Sequence, residues 1–124
     1  MNMRDSIAAA RISGPRLEAD GTAVFEFRFG ADDPVFAGHF PARPLLPGVF
    51  QLEMARVAAE AVLNCPLAVR AIAKAKFLRP IVPAETVCVE VKLSEKDGTI
   101  DARAGFSVYG QPAGETILQL RRSE

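Results

Sequence analysis

Residues 22–29 alternate clearly between two faces. Ala23, Phe25, Phe27 and Phe29 lie on one face, and Thr22, Val24, Glu26 and Arg28 lie on the other. A period of two predicts a β-strand with one buried face. The same alternation recurs in residues 69–77, 87–93, 100–108 and 116–120, and residues 10–18 are a further candidate strand. With turns predicted at residues 19–21 and 97–98, the chain is expected to form antiparallel strands.

Residues 47–63 have the pattern of a helix. Pro47 suits its first turn, because the missing N–H of proline has no helical partner there, and Asn64 and Pro66 are typical of its end. Apolar residues lie on nearly all its sides: Val49, Phe50, Leu52, Met54, Ala55, Val57, Ala58, Ala61 and Val62. Such a helix is expected to be buried. We therefore predict an α+β fold in which an antiparallel β-sheet wraps around one long central helix, with residues 1–124 as a single domain.

The predicted strand at residues 69–77 has small apolar residues on one face and basic residues on the other. Val69, Ala71, Ala73, Ala75 and Phe77 are expected to face the helix, and the alanines would allow a close approach. Arg70, Lys74 and Lys76 then share the outer face, and Arg79 follows shortly after. Two interpretations are open: an ordinary solvated strand face, or a positive patch that attracts an acidic partner.

Composition narrows the possible partners and the compartment. The 15 basic and 15 acidic residues cancel, which argues against a nucleic-acid-binding protein. No apolar run is long enough to span a membrane, and the first residues do not resemble a secretory signal. We therefore expect a cytoplasmic protein in which Cys65 and Cys88 are reduced thiols.

The chain contains a single histidine, His39, in the segment Gly38-His39-Phe40-Pro41. One histidine rules out a metal site built from several histidines of the same chain. Imidazole is a suitable base near neutral pH, so His39 is a candidate general base. The alternative is a loop histidine that makes only a structural hydrogen bond.

Glu53 lies on the predicted helix with apolar residues one turn away, at Val49, Phe50 and Val57. A carboxyl group in an apolar pocket resists ionisation and can act as a general acid. The alternative is that Glu53 reaches the surface or pairs with Arg56.

Gly48 falls in the first turn of the same helix, where backbone N–H groups lack helical partners and the helix dipole is positive. Without a side chain, Gly48 would let a carbonyl oxygen approach its N–H, although a glycine required only for a turn is the alternative. Together the three residues suit elimination of water from a 3-hydroxyacyl thioester. His39 would remove the C2 proton, the helix N-terminus would stabilise the enolate-like charge, and Glu53 would protonate the leaving hydroxyl.

The segment that runs from Gly38-His39-Phe40-Pro41 through Pro44 and Pro47-Gly48-Val49 to Glu53 closely resembles the 3-hydroxyacyl-acyl-carrier-protein dehydratase family. The later segment Lys76-Phe77-Leu78-Arg79-Pro80 resembles the strand and turn that follow the helix in that family. Two positions depart from it: Val57 stands where glutamine is usual, and Leu78 where a second arginine is usual. The chain also resembles shortened relatives found beside polyketide-like or aryl polyene pathways, so the acyl chain need not be an ordinary fatty acid.

The resemblance implies a hot-dog fold and a homodimer, with higher oligomers open, and an active site at the subunit interface where His39 of one chain faces Glu53 of the other. It further implies that Phe40, Gly48, Phe50 and Val57 contact the substrate, which arrives on the phosphopantetheine of acyl carrier protein without a metal or cofactor. The basic residues Arg70, Lys74, Lys76 and Arg79 are candidates for docking that carrier. Two other functions are possible: a hot-dog acyl thioesterase, since fold alone does not fix function, or a non-catalytic module that binds an acyl carrier.

Overall fold

The computed structural model describes residues 2–33 and 46–123, which form two helices and six strands. In chain order these are α1 (Met3–Ala10), β1 (Arg11–Leu17), β2 (Ala23–Arg28), α2 (Gly48–Leu63), β3 (Leu67–Phe77), β4 (Thr86–Lys96), β5 (Thr99–Val108) and β6 (Gln111–Arg122). The strands make one sheet in the order β1-β2-β4-β5-β6-β3, and every neighbouring pair is antiparallel. The predicted α+β class, with a sheet around a central helix, is confirmed.

The core lies between α2 and one face of the sheet. The alternation predicted for β2 is confirmed, because Ala23, Phe25, Phe27 and Phe29 are all at most 2% exposed. The inward residues of the middle strands are equally well buried: Val87, Val89, Val91, Ile100, Ala102, Ala104, Phe106, Val108, Leu118 and Leu120. These side chains remove the apolar surface of the sheet from water and supply most of the hydrophobic stabilisation.

Helix α2 begins and ends where the sequence predicts. Pro47 is its N-cap residue, and Asn64 closes it in the left-handed conformation at φ 55°, with its N–H donated to the carbonyl of Glu60 at 2.7 Å. Asparagine tolerates that conformation, which explains the end of the helix at this residue. The expectation that all sides are buried is wrong for the single chain. The buried face comprises Gln51, Met54, Ala55, Ala58 and Ala59, whereas Val49 on another side is 51% exposed.

Helix α1 has eight residues and was not predicted from the sequence. The Asn2 side chain accepts the N–H of Asp5 at 2.8 Å and so caps the helix. Ile7 is fully buried, and α1 packs against α2. The first strand, predicted for residues 10–18, begins after this helix at Arg11.

Strand β3 differs from its prediction in which residues face the helix. Its pairing with β6 shifts register twice, between Val69 and Ala71 and between Ile72 and Lys74. Each irregularity inserts a residue and reverses the faces that follow. Ile72 therefore lies opposite the buried Leu118 on the helix side, whereas Ala71 lies opposite Gln119 on the outer side. The expectation that Ala71 faces inward is wrong, because the irregularities interrupt the strict period of two on which it was based.

Candidate active site

The N-terminus of α2 opens on a small cavity. Gly48 is the first helical residue, and Pro47 provides no side-chain cap for the N–H groups of this turn. The cavity has a volume of about 330 Å³ and is lined by Leu46, Gly48, Gln51, Phe77, Leu78, Arg79, Pro80 and Ile81. A helix N-terminus with available N–H groups attracts a negatively charged or polarised oxygen.

Gly48 is also required by packing. A Cβ atom at this position would lie 2.9 Å from a ring carbon of Phe77, closer than side chains normally approach. The absence of a side chain thus lets the Phe77 ring close against the helix N-terminus. Packing against Phe77 is therefore a structural reason for a glycine at this position. It adds to the predicted reason, which is that a carbonyl oxygen can approach the Gly48 N–H.

Gln51, which the sequence analysis did not single out, lies beside this cavity. Its side chain is 3% exposed, and its Oε1 atom has no hydrogen-bond partner among the described residues. The oxygen is packed against Gly114 of β6, where a Cβ atom would overlap it. A buried polar atom without a partner costs stability. The signal in the sequence that could have identified Gln51 is a glutamine on an otherwise apolar helix face.

Glu53 does not lie in the apolar pocket that was predicted. Its carboxylate accepts hydrogen bonds from both Arg56 Nε, at 3.0 Å, and Arg56 Nη2. The two side chains are only 20% and 12% exposed, so this ion pair is largely shielded from water. The pairing with Arg56 that the sequence left as an alternative is the one the structure adopts.

Arg56 is held by more than Glu53. Its Nη1 atom donates to Glu60 Oε2 at 3.1 Å and to the carbonyl oxygen of Leu67, the first residue of β3, at 3.0 Å. Glu60 accepts the N–H of Leu67 at 2.7 Å and pairs with Arg4 of α1 at 3.1 Å. The hydrogen bonds to Glu53 raise the pKa of Arg56, against a smaller lowering by burial, and the charges of Glu53 and Glu60 add to the rise.

The other predicted substrate contacts are partly described. Phe50 lies half-buried with its ring edge-on to Phe29, at 6.1 Å between ring centroids. Val57 lines a second cavity of about 440 Å³ between α1 and the end of α2. His39 and Phe40 lie outside the residues that the structure describes, so their predicted roles as base and substrate contact stay predictions.

The four basic residues predicted to dock a carrier do not form a uniform patch. Lys74 and Lys76 lie on the outer face, opposite Ile117 and Glu115 respectively, and Lys74 pairs with Glu115. This contact lowers the pKa of Glu115.

The two arginines have partners of their own. Arg70 donates to the hydroxyl of Thr99 at 2.8 Å, and Arg79 pairs with the buried Glu85 at 2.8 Å. Part of the positive charge is thus neutralised within the chain, and carrier docking stays a prediction.

In residues 2–33 and 46–123, no three His, Cys, Asp or Glu side chains are grouped as a metal would require. Within the same residues, no helix has the length and apolar character to cross a membrane.

A six-stranded antiparallel sheet around one central helix is the hot-dog fold. A family model described as ApeI-like, ApeI dehydratase, matches residues 16–115, and the chain belongs to this family.

Individual relatives agree with that assignment. The chain is 43% identical over 88 residues to a FabZ 3-hydroxyacyl-acyl-carrier-protein dehydratase of Desulforamulus reducens, which covers 65% of this chain and 62% of that relative. It is 38% identical over 110 residues to the FabZ dehydratase of Chloroflexus aggregans, over 82% of this chain and 76% of the relative. The matched part thus spans less than two thirds of the length of the Desulforamulus protein.

Solved structures show the same fold. The dehydratase heterocomplex ApeI:P from Xenorhabdus doucetiae matches with a TM-score of 0.73 and 26% identity, over 90% of this chain and 96% of that chain. An acyl-CoA hydrolase from Staphylococcus aureus matches with a TM-score of 0.62 over 83% of this chain and 66% of its own, but at 11% identity it shares the fold alone.

Proposed function

We propose that this protein removes water from a 3-hydroxyacyl thioester, carried on the phosphopantetheine of acyl carrier protein, to give the trans-2-enoyl thioester. The observation that carries the proposal is the match of a dehydratase family model to residues 16–115, a range that contains His39, Gly48 and Glu53. The chain would act as one catalytic domain in the cytoplasm, with no metal or redox cofactor, because the reaction needs only proton transfers.

The proposed reaction balances with these three residues. Neutral His39 removes the proton at C2, and the charge that develops on the thioester oxygen is stabilised by the N–H of Gly48 and the positive end of α2. The C3–O bond breaks as Glu53 delivers a proton to the hydroxyl, so that water leaves. Phe40, Phe50 and Val57 would line the path of the acyl chain.

The decisive experiment compares wild type with His39→Ala and Glu53→Gln on a 3-hydroxyacyl carrier-protein thioester. Wild type should form the enoyl thioester, measured by its absorbance and by mass spectrometry. Each variant should lose about 10² to 10⁴ in rate, the usual share of general acid–base catalysis. Near wild-type dehydration by either variant would refute the assignment of that residue. Release of free thiol in place of enoyl product would identify a thioesterase, and binding without turnover a non-catalytic module.

The second subunit of the proposed active site is another copy of this chain. Strand β3 is at the edge of the sheet, and three large apolar side chains on it, Val69, Ile72 and Phe77, are 44–53% exposed. Exposed apolar groups and an unpaired edge are the features that pairing with a second chain would remove from water. Arg56, which holds Glu53, also contacts Leu67 at the start of β3, and this proximity supports a site near that edge.

Subunit mixing tests this arrangement. If His39 of one chain faces Glu53 of the other, mixing His39→Ala with Glu53→Gln subunits should restore part of the activity, since one of the two hybrid sites keeps both groups. No recovery after verified exchange would place each site within one chain. A chain that stays monomeric and inactive alone would instead require a different partner, as in the Xenorhabdus heterocomplex.

The carrier would approach through the outer face around Lys74 and Lys76, with Arg70 and Arg79 nearby. Charge attraction of this kind acts mainly on the encounter rate and weakens with salt. The double variant Lys74→Glu with Lys76→Glu should therefore lower kcat/KM for a carrier-bound substrate and leave turnover of a small N-acetylcysteamine thioester unchanged. Equal losses on both substrates would place the docking surface elsewhere.

A further inference from the structure

The orientation of Glu53 is set by a residue one turn away on the same helix. Side chains three and four positions further along a helix are the ones that reach a given residue. The fourth position after Glu53 is Val57, whose side chain has no hydrogen-bonding group. The third is Arg56, which donates two hydrogen bonds to the carboxylate in the forked geometry that arginine and carboxylate prefer.

Arg56 is itself fixed at both ends of its guanidinium. Glu60 and the carbonyl of Leu67 accept from Nη1, while Nε and Nη2 hold Glu53. The side chains of Arg56 and Glu60 are each 12% exposed. A shielded group with this many partners keeps one rotamer, and the direction of the Glu53 carboxylate follows from it.

We propose that Arg56 is the positioning residue of Glu53 and supplies the hydrogen bonds that Val57 cannot. This inference rests on the catalytic role of Glu53 in the proposed function. Arg56 donates both of these hydrogen bonds, so it fixes the direction of the carboxyl group without taking part in proton transfer. Over the cycle, the proton that Glu53 delivers to the leaving hydroxyl is replaced by the proton that His39 takes from C2 and releases to water, so no net proton is consumed.

The first test removes the guanidinium. Arg56→Ala should lower kcat for a 3-hydroxyacyl thioester by about 10²-fold, the cost of a catalytic group displaced by about 1 Å. KM should stay within about threefold, because Arg56 has no proposed contact with the acyl chain. A change in KM at unchanged kcat would overturn the proposal. Circular dichroism and the melting temperature establish that the variant is folded.

The second test restores the orientation from the neighbouring position. A glutamine at residue 57 can hydrogen-bond Glu53 from the next turn position, so Arg56→Ala with Val57→Gln should recover kcat by about tenfold over Arg56→Ala alone. An arginine that merely stabilised the helix would not be replaced in this way. Failure of the folded double variant to recover any activity would refute the positioning role.

Arg4→Ala is the matched control, because Arg4 pairs with Glu60 but makes no contact with Glu53. It should keep kcat within about twofold of wild type, and a loss equal to that of Arg56→Ala would show that any disturbance of the ion-pair cluster is sufficient. Glu53→Gln separates the two proposals. If Glu53→Gln is inactive but Arg56→Ala is fully active, only the role of Arg56 fails; if Glu53→Gln is fully active, the proposed acid fails as well.

Discussion

Leu118 and Ile72 lie directly opposite each other on neighbouring strands and face the same side of the sheet. Leu118 on β6 is fully buried, whereas Ile72 on β3 is 53% exposed. Both are large aliphatic residues, so their chemistry does not explain the difference. The reason is position: α2 covers the middle of the sheet and reaches β3 near Leu67 and Phe77, but it leaves Ile72 between them uncovered in the single chain.

The middle strands and β3 thus depend on different sources of stability. The middle strands bury their inner side chains within their own chain. The exposed apolar side chains of β3, Val69, Ile72 and Phe77, gain the same burial only from another surface. Three experiments test this contrast between the middle of the sheet and its edge.

The largest effect is expected at the middle of the sheet. Leu118→Ala removes a fully buried side chain and should lower the free energy of unfolding by about 2–5 kcal/mol. The loss should be the same at low and high protein concentration in chemical denaturation, because the cavity forms within one chain. A loss below about 1 kcal/mol would mean that the core around β6 rearranges to fill the space.

At the edge, Ile72→Lys should weaken self-association rather than the fold of the chain. A buried lysine without a partner in the subunit interface should raise the dimer Kd at least tenfold, or about 1.4 kcal/mol, measured by analytical ultracentrifugation. The control is Ile12→Lys on β1, a residue 50% exposed at the other end of the sheet, which should leave the Kd unchanged. The same Kd for both variants would show that β3 is not the contact surface.

The smallest effect concerns the outer face of the middle strands. Burial raises the pKa of the Cys88 thiol on β4, an effect opposed in part by a hydrogen bond with Ser107. In a Cys65→Ser background, thiolate-specific labelling of Cys88 should be slower at neutral pH than that of an exposed thiol. It should accelerate only as the pH rises above the usual thiol range, since the thiolate is the reactive form. A labelling rate like that of a small free thiol at every pH would show that this outer face is open to water.

Much of the fold could be predicted because the signals were local. The alternation of phenylalanines in β2, and Pro47 and Asn64 at the two ends of α2, reflect preferences of single residues and their neighbours. The two register shifts of β3 are different, because they arise from how it pairs with β6 and leave no mark in its own regular alternation. Ala71 was therefore assigned to the wrong face.

The features of the candidate site likewise divide into those that the local sequence predicts and those that depend on tertiary contacts. The positions of Gly48 and Glu53 on α2 followed from the helix pattern, and family membership was evident from the motif around them. The pairing of Glu53 with Arg56 was not the main prediction. Three of the residues one turn from Glu53 are apolar and suggested an apolar pocket, but one guanidinium within reach attracts the carboxylate more strongly than they do. The buried Gln51 is a tertiary feature as well, because its surroundings come from Gly114 on a distant strand.

The two irregularities in β3 also affect what can attach to the edge of the sheet. An uninterrupted edge would present evenly spaced N–H and C=O groups to any extended peptide, which is the usual start of aggregation. In β3 the longest regularly paired stretch is Lys74–Phe77. The two irregularities, between Val69 and Ala71 and between Ile72 and Lys74, each add local twist to the strand. An arbitrary strand would lose hydrogen bonds at each irregularity. The shape of this edge therefore discriminates against misassembly in a crowded cell, while a surface with matching curvature remains able to bind.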